Sequence, residues 1–320
     1  MTIIDTRSES APLIAVVGAT GVQGGSVIKA LLESDKPYRI RGFTRDPTKA
    51  AAERLKKCGV DMVGINLVLE NKEEVFKAFA GADYVFLVTN FWEHMNVQKE
   101  ISEGIMLVDA AKAAGVKGII WSGLVSAEKI SGGKYSTVQQ FNGKALVTEH
   151  GRASSVPFVT VQAGLYASSY LANPLLLAKQ PDGTHAIQWV VGPKTVVPII
   201  DTQSDYGLYV RRVLEQPVFP DGLDVYTGQD ITGEDMAREI SEVTGKKVVF
   251  KQITTEEFTK PVAGLGLPPH IIDAAIGAFQ FWEEFGYYGG QPTASTDGLA
   301  RAPLTWAEFV KNADWSKVLA

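Results

Sequence analysis

In Gly18-Ala19-Thr20-Gly21-Val22-Gln23-Gly24 the three glycines recur every third residue, between an apolar run at 13–17 and a stretch with helical spacing at 22–34. A strand that passes into a helix through such a turn needs glycine for the tight bend and for close approach of backbone to backbone. The arrangement leaves the first helical amides, and the positive end of the helix dipole, facing an anion such as the pyrophosphate of a dinucleotide. Gly18, Ala19, Thr20, Gly21, Val22, Gln23 and Gly24 are therefore the first cofactor-binding candidates. Their place between strand and helix gives weight to a pattern that is weak alone.

The first half of the chain repeats this alternation. Apolar runs at 13–17, 38–43, 60–65, 84–88, 118–121 and 158–161 read as strands, and 22–34, 47–58, 72–79, 97–114 and 137–152 read as helices. The expected fold class is α/β, a Rossmann-type doubly wound parallel sheet whose ligands sit at the carboxyl ends of the strands. Beyond residue 161 the rhythm changes: a helix is expected at 165–179, strands at 186–191 and 196–200, a helix at 202–214, a capped helix start at Thr232, a strand at 247–251 and a helix at 306–311. The expected organisation is a flexible leader at 1–12, an NADP(H)-binding Rossmann domain at 13–162 and a smaller α/β lid lobe at 163–320, from which the chain is free to return to the sheet.

The 320 residues carry a formal charge of -5 with no basic cluster, so a direct nucleic-acid footprint is not expected. One cysteine, Cys58, rules out an internal disulfide framework, and four scattered histidines form no metal-ligand spacing. No run reaches membrane-spanning length and the first twelve residues lack the features of a signal peptide, which points to the cytoplasm.

About twenty residues after the glycine turn, where NAD-preferring sites place a carboxylate, stand Thr44 and Arg45. A guanidinium there suits the 2′-phosphate of NADP(H), and Lys49, four residues on, supplies further positive charge. Asp46 as a ribose partner is the competing reading. Thr89, Asn90 and Phe91 follow the fourth strand, where Asn90 either bonds ribose or makes the turn. Ser122 ends the fifth strand and is expected at the cleft. Gln140 and Lys144 occupy the positions at which short-chain dehydrogenases carry Tyr-x-x-x-Lys; glutamine cannot act as a general acid, whereas Lys144 can hold ribose or donate a proton. Tyr135 is a further acid candidate nearby.

At these residues the chain resembles the NmrA-like family of atypical short-chain dehydrogenases from Leu13 to Trp315, and in G-A-T-G-V-Q-G-G-S, T-R-D-P-T-K, T-N-F-W-E, W-S-G-L and F-N-G-K the human-type NADPH-sensor subgroup. The resemblance implies cofactor contacts from Gly18 to Gln23, from Arg45 and Lys49, from Thr89 to Phe91, from Lys144 and from Gly164, Leu165 and Tyr166, with Tyr166 near the hydride face. It departs at Ile65-Asn66-Leu67, where the family has Gly-Asp, and at Gln140, where the subgroup has histidine. Two functions follow from it. One is NADPH-dependent reduction of a carbonyl, quinone-like or conjugated acceptor, with Lys144 or water as acid and the aromatic run 279–288 lining a flat-substrate pocket or packing a core. The other is a non-catalytic redox sensor that regulates a protein partner and has access to the nucleus. Homodimer formation is left open by both.

Overall fold

The computed structural model describes residues 10–173 and 175–319. Most of the expected leader lies outside that range. Its last residues are anchored: Ala11 is buried, its carbonyl accepts from Arg39 Nε at 3.0 Å, and the Pro12 carbonyl accepts from the Arg39 amide.

The chain runs through β1 (Leu13–Val16), α1 (Val22–Leu32), β2 (Arg39–Thr44), α2 (Ala50–Lys57), β3 (Asp61–Gly64), α3 (Lys72–Ala78), β4 (Tyr84–Leu87), α4 (Phe91–His94), α5 (Val97–Ala113), β5 (Gly118–Trp121), α6 (Ala127–Ile130), α7 (Gln139–Arg152) and β6 (Phe158–Gln162). These strands pair in parallel. The central strands β1, β4 and β5 are apolar along their length because both of their faces are covered, whereas β2 and β3 toward the edge carry Arg39, Arg41 and Asp61. Ile14, Val16, Phe86, Ile120 and Val159 pack on one side with α1, while Ala15, Val85, Leu87, Ile119 and Trp121 pack on the other with α3, α5 and α7.

The second half contains β7 (Leu165–Tyr166), α8 (Ser169–Ala172), β8 (Leu177–Lys179), β9 (His185–Trp189), β10 (Val196–Ile200), α9 (Thr202–Leu214), β11 (Asp224–Tyr226), β12 (Gln229–Thr232), α10 (Gly233–Thr244), β13 (Val248–Gln252), α11 (Thr255–Gly264), α12 (Pro269–Phe285) and α13 (Trp306–Asn312). The helix expected at 165–179 is instead β7, the single turn α8 and β8. Asn173 precedes a proline and is extended, at φ −113° and ψ 103°, which stops the helix, and β7 spends its backbone on pairing with β10. Two small sheets, β12-β10-β7 and β13-β9-β8, build the second lobe around a core that includes Ile187, Trp189, Ile231, Met236 and Trp306. The Thr232 cap is present, its side chain accepting from the Asp235 amide at 3.1 Å.

Chain order and lobe do not coincide. β11 pairs in parallel with β6, giving a seven-stranded sheet ordered β11-β6-β5-β4-β1-β2-β3, and α9 packs on α1. The order reverses at β1, whose neighbours are β2 and β4, so a crevice opens above its carboxyl end. The aromatic run 279–288 ends α12 and the turn after it; Phe279, Phe281, Trp282, Tyr287 and Tyr288 are all buried in the lobe core. Packing, rather than a flat-substrate pocket, accounts for them. Among the described residues no helix is long and apolar enough to cross a membrane.

The α1–α9 contact admits no side chain at Gly207. A Cβ there would lie 2.0 Å from the Ser26 carbonyl oxygen, while the Gly207 amide donates to Ser26 Oγ at 2.9 Å. Gly207→Ala should therefore lower the denaturant midpoint by an amount equivalent to about 1–3 kcal/mol, the usual cost of overpacking. Gly264→Ala, where an added methyl meets nothing within 4 Å, should be neutral or stabilising. Equal behaviour of the two variants would show that the helix contact is not close-packed.

Candidate cofactor cleft

A cleft of about 600 Å³ opens at the carboxyl ends of β1, β2, β3 and β4. Gly18, Thr20, Gly21, Val22, Gln23 and Gly24 line it; Ala19 is buried beneath. Gly18 has φ +66°, and its carbonyl accepts from the Gly21 amide at 2.8 Å. A Cβ on Gly24 would fall 2.2 Å from that same carbonyl oxygen, so the third glycine is what lets α1 begin directly on the turn. α1 starts at Gly21 with no side-chain cap, leaving its first amides to a ligand.

At the end of β2, Arg45 lines the cleft and its Nη1 pairs with Glu93 Oε1 of α4. Both side chains are largely exposed. Lys49 is exposed at the N-cap of α2 and is not on the lining. Asp46 is not on the lining either: its Oδ1 accepts from the amide and hydroxyl of Thr48, bonds that hold its carboxyl below the usual range. Ile65, Asn66, Leu67 and Val68 also line the cleft, with Glu103 and Leu107 of α5. Glu103 is flanked by Lys99 Nζ at 3.7 Å and His94 Nε2 at 3.6 Å. Burial pushes its carboxyl above the usual range, against the pull of those two groups.

After β4, Thr89 and Asn90 line the cleft, and Asn90 makes no side-chain cap bond to α4. Turn-making by that side chain is thus not what the fold uses. Phe91 is buried below. Lys144 does not reach the lining. Its Nζ donates to the carbonyl and hydroxyl oxygens of Thr89, each at 3.1 Å, and lies 3.2 Å from Glu100 Oε1 and 5.1 Å from the centre of the Trp121 ring. Lys144 has 12% of its side chain exposed and Glu100 none, so this is a buried ion pair beneath the cleft. Thr89 Oγ1 donates to the same Glu100 oxygen at 2.7 Å.

Gln140 is buried and donates to the Ala274 carbonyl of α12 at 3.4 Å, away from the cleft. Tyr135 donates to Glu284 at 2.8 Å and Ser122 is buried; neither lines the cleft. Tyr166 does. Its hydroxyl accepts from Gln23 Nε2 at 2.6 Å, and burial raises its pKa to about 12 against the opposing effect of that bond. Leu165 pairs with Ile199 in β10, and a Cβ on Gly164 would lie 2.2 Å from the Pro198 carbonyl oxygen. Those two residues build the small sheet rather than the cleft wall.

Glu93, His94, Lys99, Glu100 and Glu103 were not singled out from the sequence. Glu100 and Glu103 did carry a signal, since they interrupt the buried stripe of α5 at Gly104, Leu107, Val108 and Ala111. Glu93 carried none, because its partner is 48 residues away.

The family model of the NmrA-like family matches residues 10–310. The NmrA-like family domain-containing oxidoreductase ptmS of Penicillium ochrochloron is 27% identical over 262 residues, 77% of each chain. Among solved structures, the negative transcriptional regulator NmrA in complex with NADP superposes with TM-score 0.78 at 21% identity, over 95% of each chain. The Citrobacter sp. triphenylmethane reductase complexed with NADP(H) does so with TM-score 0.73 at 24% identity, over 93% of this chain and 98% of the other. The doubly wound sheet, the glycine turn beneath its crevice and the match along nearly all of the sequence place this chain in the NmrA-like family.

Proposed function

We propose that the chain is an NADP(H)-dependent oxidoreductase that reduces a carbonyl, quinone-like or conjugated small molecule. The observation that carries it is the uncapped start of α1 on the Gly18–Gly24 turn, with an arginine at the end of β2 on the same cleft. The residues fit the group: the turn amides take the pyrophosphate, Arg45 takes the 2′-phosphate with Lys49 adding positive potential, and Thr89 and Asn90 address ribose. The NADP and NADP(H) complexes of the two structural neighbours, with an NAD complex of NmrA, support a nicotinamide cofactor, and Arg45 carries the preference for NADP(H). The oxidoreductase name of the Penicillium relative supports turnover.

A bound nicotinamide supplies a hydride to the acceptor. The chain orients and shields it. Tyr166 stays protonated at neutral pH and can donate a hydrogen bond to the acceptor while Gln23 donates to its oxygen. A phenol with so high a pKa is a poor proton source, which favours acceptors whose reduced form is stabilised by conjugation and protonated by water. Residues 13–162 with α9 and β11 carry the cofactor, and the second lobe serves the substrate or partner. The exposed thiol of Cys58 suits a reducing, cytoplasmic compartment.

One observation favours the sensor reading: the Lys144 ammonium is already bound to Thr89 and Glu100, and Gln140 faces α12, so the usual acid and its lysine are not presented. In that case occupancy of the cleft would act through a partner-binding surface.

Wild-type protein incubated with NADPH and a panel of quinones and aromatic carbonyls should oxidise the cofactor steadily. Saturable NADPH binding with no oxidation across the panel would sink the reductase and favour the sensor. In a separate measurement Arg45→Ala should weaken NADPH about 10- to 100-fold, the loss of a charge-assisted phosphate contact, and weaken NADH far less. Equal losses for both would refute the 2′-phosphate assignment.

A further inference from the structure

Arg45 follows β2 and Glu93 lies beyond β4, and these two strands flank β1, which carries the glycine turn. The Arg45–Glu93 pair therefore spans the mouth of the cleft above that turn, and both residues line it. Only one guanidinium nitrogen, Nη1, contacts the carboxylate, so the fork of donors is engaged at a single point. With 67% of the Arg45 side chain and 48% of the Glu93 side chain exposed, the pair is well screened by water. A phosphate carries more charge than a carboxylate and accepts from both prongs of the fork, so it can displace Glu93.

We propose that Glu93 sets the discrimination between NADPH and NADH by competing, within the chain, for the guanidinium that the 2′-phosphate needs. This rests on the assignment of Arg45 above. NADPH must break the Arg45–Glu93 pair and then sits beside the freed carboxylate, whereas NADH leaves the pair in place. Glu93 thereby weakens NADPH selectively. The short helix that carries Glu93 ends at Met95 in the left-handed region, φ 52°, so the displacement involves a four-residue element and leaves the sheet alone.

The test is the dissociation constant for NADPH and for NADH of the wild type, Glu93→Gln, Arg45→Ala and the double variant, at one ionic strength. Glu93→Gln should bind NADPH about three- to tenfold more tightly, as expected for removing an exposed competing charge, and NADH within about twofold of wild type. The gain should shrink when Arg45 is already alanine, leaving only the relief of direct repulsion between carboxylate and 2′-phosphate. Unchanged or weaker NADPH binding by Glu93→Gln, an equal shift for NADH, or a gain undiminished in the double variant would each overturn the proposal. The single variant Arg45→Ala separates the two ideas: an equal loss for both cofactors overturns the underlying assignment of Arg45, whatever Glu93→Gln does.

Discussion

The backbone of Gly24 rests on the carbonyl of Gly18, and the cleft exists because nothing larger than hydrogen stands between them. That contact fixes where α1 begins and turns its uncapped amides into the crevice between β2 and β4. A second contact of the same kind, Gly207 on Ser26, holds α1 from behind with a helix supplied by the second half of the chain. The chain leaves the first sheet after β6, builds part of the second lobe, and returns with α9 and β11 to brace the element that carries the site. Cofactor site and second lobe are coupled through shared backbone, so neither half is an independent unit.

Two ion pairs at this cleft differ in kind. Lys144 and Glu100 are buried and further bonded to Thr89, and the Lys144 ammonium lies over the Trp121 ring. Removing one partner strands a buried charge, at a cost of about 3–5 kcal/mol. Arg45 and Glu93 are exposed and joined at one point, an interaction worth about 0–1 kcal/mol. The first is fixed below Thr89; the second is held weakly enough for the exchange with phosphate that we propose. The lysine that matches a catalytic motif in sequence is paired off the lining of the cleft, and the arginine at the end of β2 lines it.

The parts legible in the sequence are those governed by local chain chemistry. The glycine turn, the doubly buried strands and the Thr232 cap all declare themselves within a few residues. The helix expected at 165–179 failed because Leu165 and Tyr166 pair with β10, more than thirty residues away. α12 was missed for another reason. It has Pro268 at its N-cap, no side-chain cap bond, and apolar residues such as Ile271, Ile272, Phe279 and Trp282 dense enough to blur the helical period. Its aromatics leave pocket and core both open in the sequence, and their burial decides for the core. The sequence marks Lys144 as a residue to hold ribose or donate a proton, but its partner Glu100 lies on another helix, and only packing brings the two together.

On our proposal one cleft, built on the α1 start and Arg45, takes NADP(H) by its pyrophosphate and its 2′-phosphate. Calorimetric titration of the wild-type chain with NADPH, repeated in the presence of adenosine 2′,5′-bisphosphate and then of adenosine 5′-monophosphate, tests it most directly. One dinucleotide should bind per chain, with strong competition from the bisphosphate and little from the monophosphate. A saturable NADPH site indifferent to the bisphosphate, or no saturable site, would contradict it.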